Sequence, residues 1–169
     1  MTIGDVARTD GRYAAEAYYF MREGLDFAAR SLHGPMTPAQ FVVAQYMAAE
    51  KIDLQEVFAR HARGVLDPTV AAAVDQADGP TELNRNISGV NLCWALRDFA
   101  HQRWGLLAGL VLKQWGIFRT DDFGAIVFAL VTHGFMYKEA HDSIDDFRSV
   151  FDFRDAFDRS YKVLERMTD

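Results

Sequence analysis

The chain contains a single cysteine, Cys93, which excludes an intramolecular disulfide and makes a reducing cytoplasm the expected compartment. It has no charge-free apolar run of about 18 residues, so no membrane span is predicted. Its opening, MTIGDVARTDG, lacks the apolar core of a secretory leader. No CxxC pair occurs, and no two of His33, His61, His101, His133 and His141 have HExxH spacing. A closed metal site is therefore not expected, and the loose grouping of His133, His141 and Asp142 does not supply one. GxSxG, a phosphate loop and GxGxxG are also missing, so local pattern assigns neither a catalytic residue nor a cofactor. Cys93 lies at the edge of an apolar helical face without an activating neighbour and reads as a buried structural thiol. The adjacent pairs Asp121-Asp122 and Asp145-Asp146 cannot flank a substrate as acid–base catalysis requires. They read as a dipole cap and a solvated surface.

What is present is apolar and aromatic. Half of the 169 residues are hydrophobic and a quarter are charged, the proportions of an ordinary globular protein. Thirteen Phe, six Tyr and three Trp argue against disorder, and the length suits a single domain with a substantial core. The net charge of −6 is unevenly spread: residues 84–119 carry Arg85, Arg97, Arg103, Lys113 and Arg119 against Asp98 alone, between two acidic flanks. A basic middle of this kind pairs with its own flanks or meets an acidic surface on another molecule.

The stretch from Asn86 to Tyr137 holds all three tryptophans and is predicted to form three helices joined by short turns. The first is capped by Ser88 and stopped by Gly105, with Leu92, Ala95, Leu96, Phe99 and Ala100 on one arc. Trp94 projects on the other side, among Val90, Arg97 and His101, where it packs under a second layer or faces a partner. The second, Leu106 to Trp115, is apolar almost all round, too short for a bilayer, and expected to be buried in protein before Gly116 ends it. The third is expected to start with Thr120 as N-cap, with Asp121 and Asp122 complementing the helix dipole, and to close at Gly134. Phe135-Met136-Tyr137 reads as a short strand, allowing one short β-hairpin. The fold class expected is mainly α: a single helical domain with a winged-helix-like three-helix centre.

The ordered series NISG, WGLLA, WGI, RTDDFGAIVF, LVTHGF and FDFRDAF, with the early GRYAAEAYYFMREGLDFA, resembles an uncharacterised bacterial family, the Minf-type. The resemblance covers about two thirds of the chain. It implies a small bacterial protein and carries over no catalytic residue, cofactor or substrate. The chain departs from that pattern between about Met36 and Asn84, where a shorter connection is expected.

Outside the centre, residues 1–9 read as a loose tail, followed by a long helix from Asp10 toward Leu32 that ends at His33-Gly34-Pro35. Gly24 lies inside its apolar arc, where another helix can approach closely. Residues 36–84 read as a helical insertion of three short helices, starting at Thr37-Pro38-Ala39-Gln40, at Asp53 and at Asp67-Pro68. His61, on an apolar arc, is expected to be a hydrogen-bonded core residue. Asp78-Gly79-Pro80 is a loop. A last helix is expected from Asp152, as N-cap, to about Arg166.

These features favour a non-enzymatic protein-binding or self-associating module, with Val90, Trp94, Arg97 and His101 as contact residues and Arg119 as a charged rim. A nucleic-acid-associated regulator is the first alternative. It is disfavoured because Thr120 to His133, in the position of a recognition helix, presents no basic or amide side chain, leaving Arg97, Arg103, Lys113 and Arg119 to do the binding. An enzyme whose site is assembled from distant residues is the second alternative.

Overall fold

The computed structural model describes residues 1–77, 79–136 and 143–158. These residues are mainly helical, with nine α-helices and no strand among them. They divide into two compact units, residues 1–28 with 87 onward, and residues 29–86.

The first unit begins with helix α1, Ile3–Asp10, where a loose tail was expected. Its reason is local: Thr2 and Asp5 form a reciprocal capping box, and Gly11, at φ 70°, closes the C-terminus in the left-handed conformation. Ile3, Val6 and Ala7 are buried, so an eight-residue helix that would not persist alone is held by packing. Helix α2, Ala15–His33, therefore starts later than expected and buries Ala17, Tyr18, Phe20, Met21, Gly24 and Ala28.

Helix α7, Gly89–Trp104, runs between the caps read from the sequence: the Ser88 side chain accepts from the Asn91 N–H, and Gly105 follows at φ 54°. It meets α2 at Gly24, where any Cβ would collide with Leu96. Phe99 stacks against Phe20 and Phe27, with centroids 5.3 and 5.1 Å apart. Phe20 also touches Trp104 and Trp115 at 5.4 and 5.8 Å, and these two tryptophans meet edge to face at 5.2 Å. The second central helix is split: a 3₁₀ turn, Gly105–Leu107, leads into helix α8, Ala108–Gln114.

Helix α9, Thr120–Thr132, is the innermost element, with all of Phe123 to Val127 buried. It is in contact with α1, α7 and a 3₁₀ turn, Ile144–Phe147. Thr120 is not its N-cap. Arg119 occupies that position, and the Asp122 carboxylate accepts the N–H groups of Phe118 and Arg119 at 2.8 and 3.1 Å. Asp122 reaches the orphan donors from inside the helix, which frees the Thr120 hydroxyl for tertiary bonds. At the other end, the Phe135 N–H bonds to Leu130 O (2.8 Å) and the Gly134 N–H to Val131 O (3.1 Å). This is a Schellman closure on a glycine at φ 81°, and it draws Phe135 and Met136 into a bend where a strand was expected. Tyr137, and with it the expected hairpin and wing, lies outside the described residues, as do His141 and Asp142. Asp152 does cap its segment, accepting from the N–H of Arg154 at 2.8 Å. What it starts is a π-helical turn, Arg154–Asp158; the rest of the expected last helix lies outside the described residues.

The second unit carries helices α3, Pro38–Glu50, α4, Leu54–Ala62, α5, Pro68–Gln76, and the single turn α6, Pro80–Leu83. The first three start at the capping residues Thr37, Asp53 and Asp67, each accepting a backbone N–H as read from the sequence. The fourth follows Gly79 directly, in a place expected to be loop. Val43, Val57, Ala73 and Leu83 form a small separate core. Arg85 ties its two ends together, donating to the carbonyl of Gly34 at 2.8 Å. His61 is half-exposed and bonds Asp75 at 2.9 Å, so it lies at the rim of this core.

Candidate interaction surface

Two adjoining features of the first unit derive from how α7, α8 and the start of α9 are held. The first is the face predicted around Trp94. Val90 is exposed, and Trp94 is 39% exposed, so the tryptophan is a surface residue with one side packed. That side meets the Phe151 ring at 4.9 Å, and the Arg97 guanidinium lies 4.7 Å from the indole centroid. The cation–π contact is worth about 0.5–1 kcal/mol at an exposed site. Arg97 is also bonded to Asp98 at 2.8 Å, which halves its use as a free cation. His101 is turned inward: its Nε2 lies 2.9 Å from the Ala156 carbonyl and its ring 5.1 Å from that of Phe157. Val90, Trp94 and Arg97 thus share an accessible face, while His101 anchors the segment after Asp152.

The second feature was not legible in the sequence. Helix α8 was expected to be buried on all sides, but only Ala108, Gly109 and Leu112 are. Leu106, Leu107 and Leu110 are 47%, 60% and 63% exposed, and Phe118, just beyond the helix, is 61% exposed. The correction has a physical reason. An all-apolar helix gives no phase to its periodicity, and here the small residues Ala108 and Gly109 face inward because they allow close approach. Leu106 and Leu107 in the 3₁₀ turn, and Leu110 one turn on, face out.

Arg119 lies on the rim of an open groove of about 560 Å³ that starts beside this stripe. Its other walls are Lys113, Phe118, Asp121, Ser149, Phe151, Asp152, Phe153 and Arg154. The groove exists because α9 holds the 147–150 segment by three bonds. The buried Thr120 hydroxyl donates to Phe147 O at 2.7 Å and accepts from the Val150 N–H at 3.0 Å; Asp121 accepts from the Ser149 N–H at 3.2 Å. Sequence spacing gave no hint that positions about thirty apart meet here. The only local signal was the clustering of Phe with Arg in IFR and FDFR.

The basic residues named for nucleic acid are partly consumed: Arg97 by Asp98 and Arg103 by Glu23. Cys93 is fully buried, and burial pushes its thiol up to about 12, so it is not a nucleophile at neutral pH. Among the described residues no cluster of three or more His, Cys, Asp or Glu could hold a metal ion, and no helix is long and apolar enough to cross a membrane. No family model, curated protein or solved structure matches the chain.

Proposed function

We propose that this chain is a non-enzymatic protein-binding module, and that the partner of its α8 face is a second copy of itself. The observation that carries the reading is the stripe of Leu106, Leu107 and Leu110, with Phe118 beyond it, left in water by a helix whose other side is firmly packed. Large exposed apolar side chains grouped in this way are uncommon on a protein that works alone. Helix α8 and the turn before it carry no acidic residue, so two copies of a chain with net charge −6 can bring these leucines together without carboxylates among them. Val90, Trp94 and Arg97 extend the contact, with Arg119 at its rim. The Minf-type likeness adds no activity to this reading, and a cytoplasmic setting suits the single reduced thiol.

The strength expected is modest. Each leucine is already about half covered, so burying the remainder returns roughly 1 kcal/mol apiece. A symmetric pair buries the leucines of both copies, about 6 kcal/mol in all, against an association cost of about 4–15 kcal/mol, so Trp94 and Phe118 contribute as well. The expected outcome is a weak association, with a dissociation constant of roughly 10–100 μM. Sedimentation velocity of the double variant Leu107→Lys/Leu110→Lys tests it: association should disappear while the melting transition stays in place. Undiminished association in a folded double variant would refute the proposed face.

A further inference from the structure

We propose that the groove between α8, the start of α9 and residues 149–154 is a binding site for a small anion that carries an aromatic or other flat apolar group. This goes beyond self-association: Leu106, Leu107 and Leu110 do not line the groove, whereas Phe118 and Arg119, at the edge of the proposed contact, do, so the two sites share that edge.

Three observations converge. The first is size: about 560 Å³ falls within the range of small-molecule sites and exceeds what a bare inorganic ion needs. The second is charge. Lys113, Arg119 and Arg154 line the groove, and neither the Arg119 nor the Arg154 guanidinium forms an ion pair among the described residues. Two arginines in one concavity without a carboxylate partner among the described residues are unexpected in a chain with six more negative than positive charges. The two carboxylates in the lining are directed elsewhere. Asp121 accepts the Ser149 N–H, and Asp152 accepts the N–H groups of Arg154 and Asp155 at 2.8 and 3.4 Å. Their negative charge is thus partly met by peptide dipoles, while the guanidinium forks keep their donors for a planar or tetrahedral oxyanion. The third is the aromatic lining. Phe118 stands exposed at the mouth, while Phe151 and Phe153 stack at 5.9 Å with planes 25° apart, forming a firm wall against which a flat group can lie. The buried Phe153 holds its neighbours in place and is itself fixed by Phe123 and Phe157, at 5.7 and 5.0 Å.

Cation and ring together define the ligand class. An inorganic oxyanion would leave the phenylalanines wet, and an uncharged aromatic would leave the guanidinium donors unused. The preferred ligand unites the two, as an aryl phosphate or an aryl carboxylate does.

The test is a titration of the full chain with phenyl phosphate, followed by backbone amide shifts and by calorimetry, alongside inorganic phosphate and benzyl alcohol as its separate halves. Saturable binding of phenyl phosphate is expected, roughly tenfold or more tighter than either half. The moving amides should centre on 118–121 and 149–154. Both arginines are exposed, so Arg119→Ala/Arg154→Ala should fold normally and lose at least about tenfold in affinity. Inorganic phosphate binding as tightly as phenyl phosphate would show a plain ion site and overturn the proposal. So would equal binding of benzyl alcohol, shifts centred elsewhere, no saturation, or full affinity in the folded double variant. Running the same titration on Leu107→Lys/Leu110→Lys separates the two readings, because every groove residue is intact there and binding should be retained although association is lost.

Discussion

Replacing Gly124 by alanine tests how the first unit is assembled. In an unobstructed helix interior, glycine to alanine stabilises by about 1 kcal/mol, because glycine loses the most backbone entropy on folding. Helix α9 should reverse that sign. A Cβ at position 124 would lie 2.8 Å from Phe147 Cβ, 2.9 Å from its Cγ and 3.1 Å from its Cδ2. Because the nearest atom is a Cβ, no side-chain rotation relieves the clash, and the Ile144–Phe147 turn must retreat. It has little room to do so. Its Phe147 carbonyl is held by the buried Thr120 hydroxyl at 2.7 Å, and a Cβ at Gly89 on α7 would meet the same ring at 3.1 Å. Overpacking of this kind costs about 1–3 kcal/mol. Set against the propensity gain, the net is a loss of up to about 2 kcal/mol, a fall in melting temperature of up to roughly 8 °C. All three tryptophans lie in the first unit, so fluorescence-detected denaturation reports that unit even if the second unfolds separately. The loss should shrink in a Phe147→Ala background, where two of the three close atoms are gone. An increase in stability on Gly124→Ala, of the size propensity alone gives, would show that α9 and the turn are not packed as described.

Phe99→Ala, which removes a ring stacked between Phe20 and Phe27, should cost about 3 kcal/mol in a denaturant melt. Trp94→Ala should cost markedly less and weaken association instead; equal losses in the two melts would make Trp94 a core residue. Replacing residues 36–83 by a flexible connector should leave a cooperative tryptophan-detected melt, since the core of residues 29–86 is separate from that of the first unit; a broad, non-cooperative transition would contradict this. Tyr13 is raised above the ordinary tyrosine value of 10.0 by burial and by its 2.7 Å bond to Asp122. Its folded pKa is the higher one, so its contribution is complete below about pH 10 and is lost as pH rises through the folded value. Absorbance titration should find Tyr13 still protonated above pH 10, and Asp122→Ala should bring it back toward 10; an unchanged titration would remove Asp122 as the cause.

The caps were the legible part of the fold. Ser88, Thr37, Asp53 and Asp67 each perform the bond their position suggested, because capping depends only on residues two or three apart. Gly24 was legible for a related reason, since a glycine on an apolar arc has few explanations other than close approach. Thr120 misled because two groups competed for one role. Asp122 satisfied the helix end, and the hydroxyl then served a segment thirty residues away. Helix α1 was passed over although Thr2 and Asp5 carry its capping box, because its stability comes from burying Ile3, Val6 and Ala7 in the fold. The candidate site was half visible. Val90, Trp94 and Arg97 share a face fixed by helical spacing, whereas the outward turn of the α8 leucines and the arginine-lined groove depend on tertiary packing.

The self-association claim can be tested at one position. Cys93 is buried, with its thiol held protonated, so in a Gln114→Cys variant, one turn beyond Leu110 and with every contact leucine kept, a thiol-directed spin label should attach at 114 alone. In a twofold dimer formed through α8, the two labelled helices face each other at roughly 8–10 Å between axes. Dipolar broadening of the label spectrum should therefore grow with protein concentration and vanish when labelled chain is diluted with excess unlabelled wild type. A spectrum without broadening at concentrations well above 100 μM, where the estimated affinity places most chains in dimers, would contradict the account.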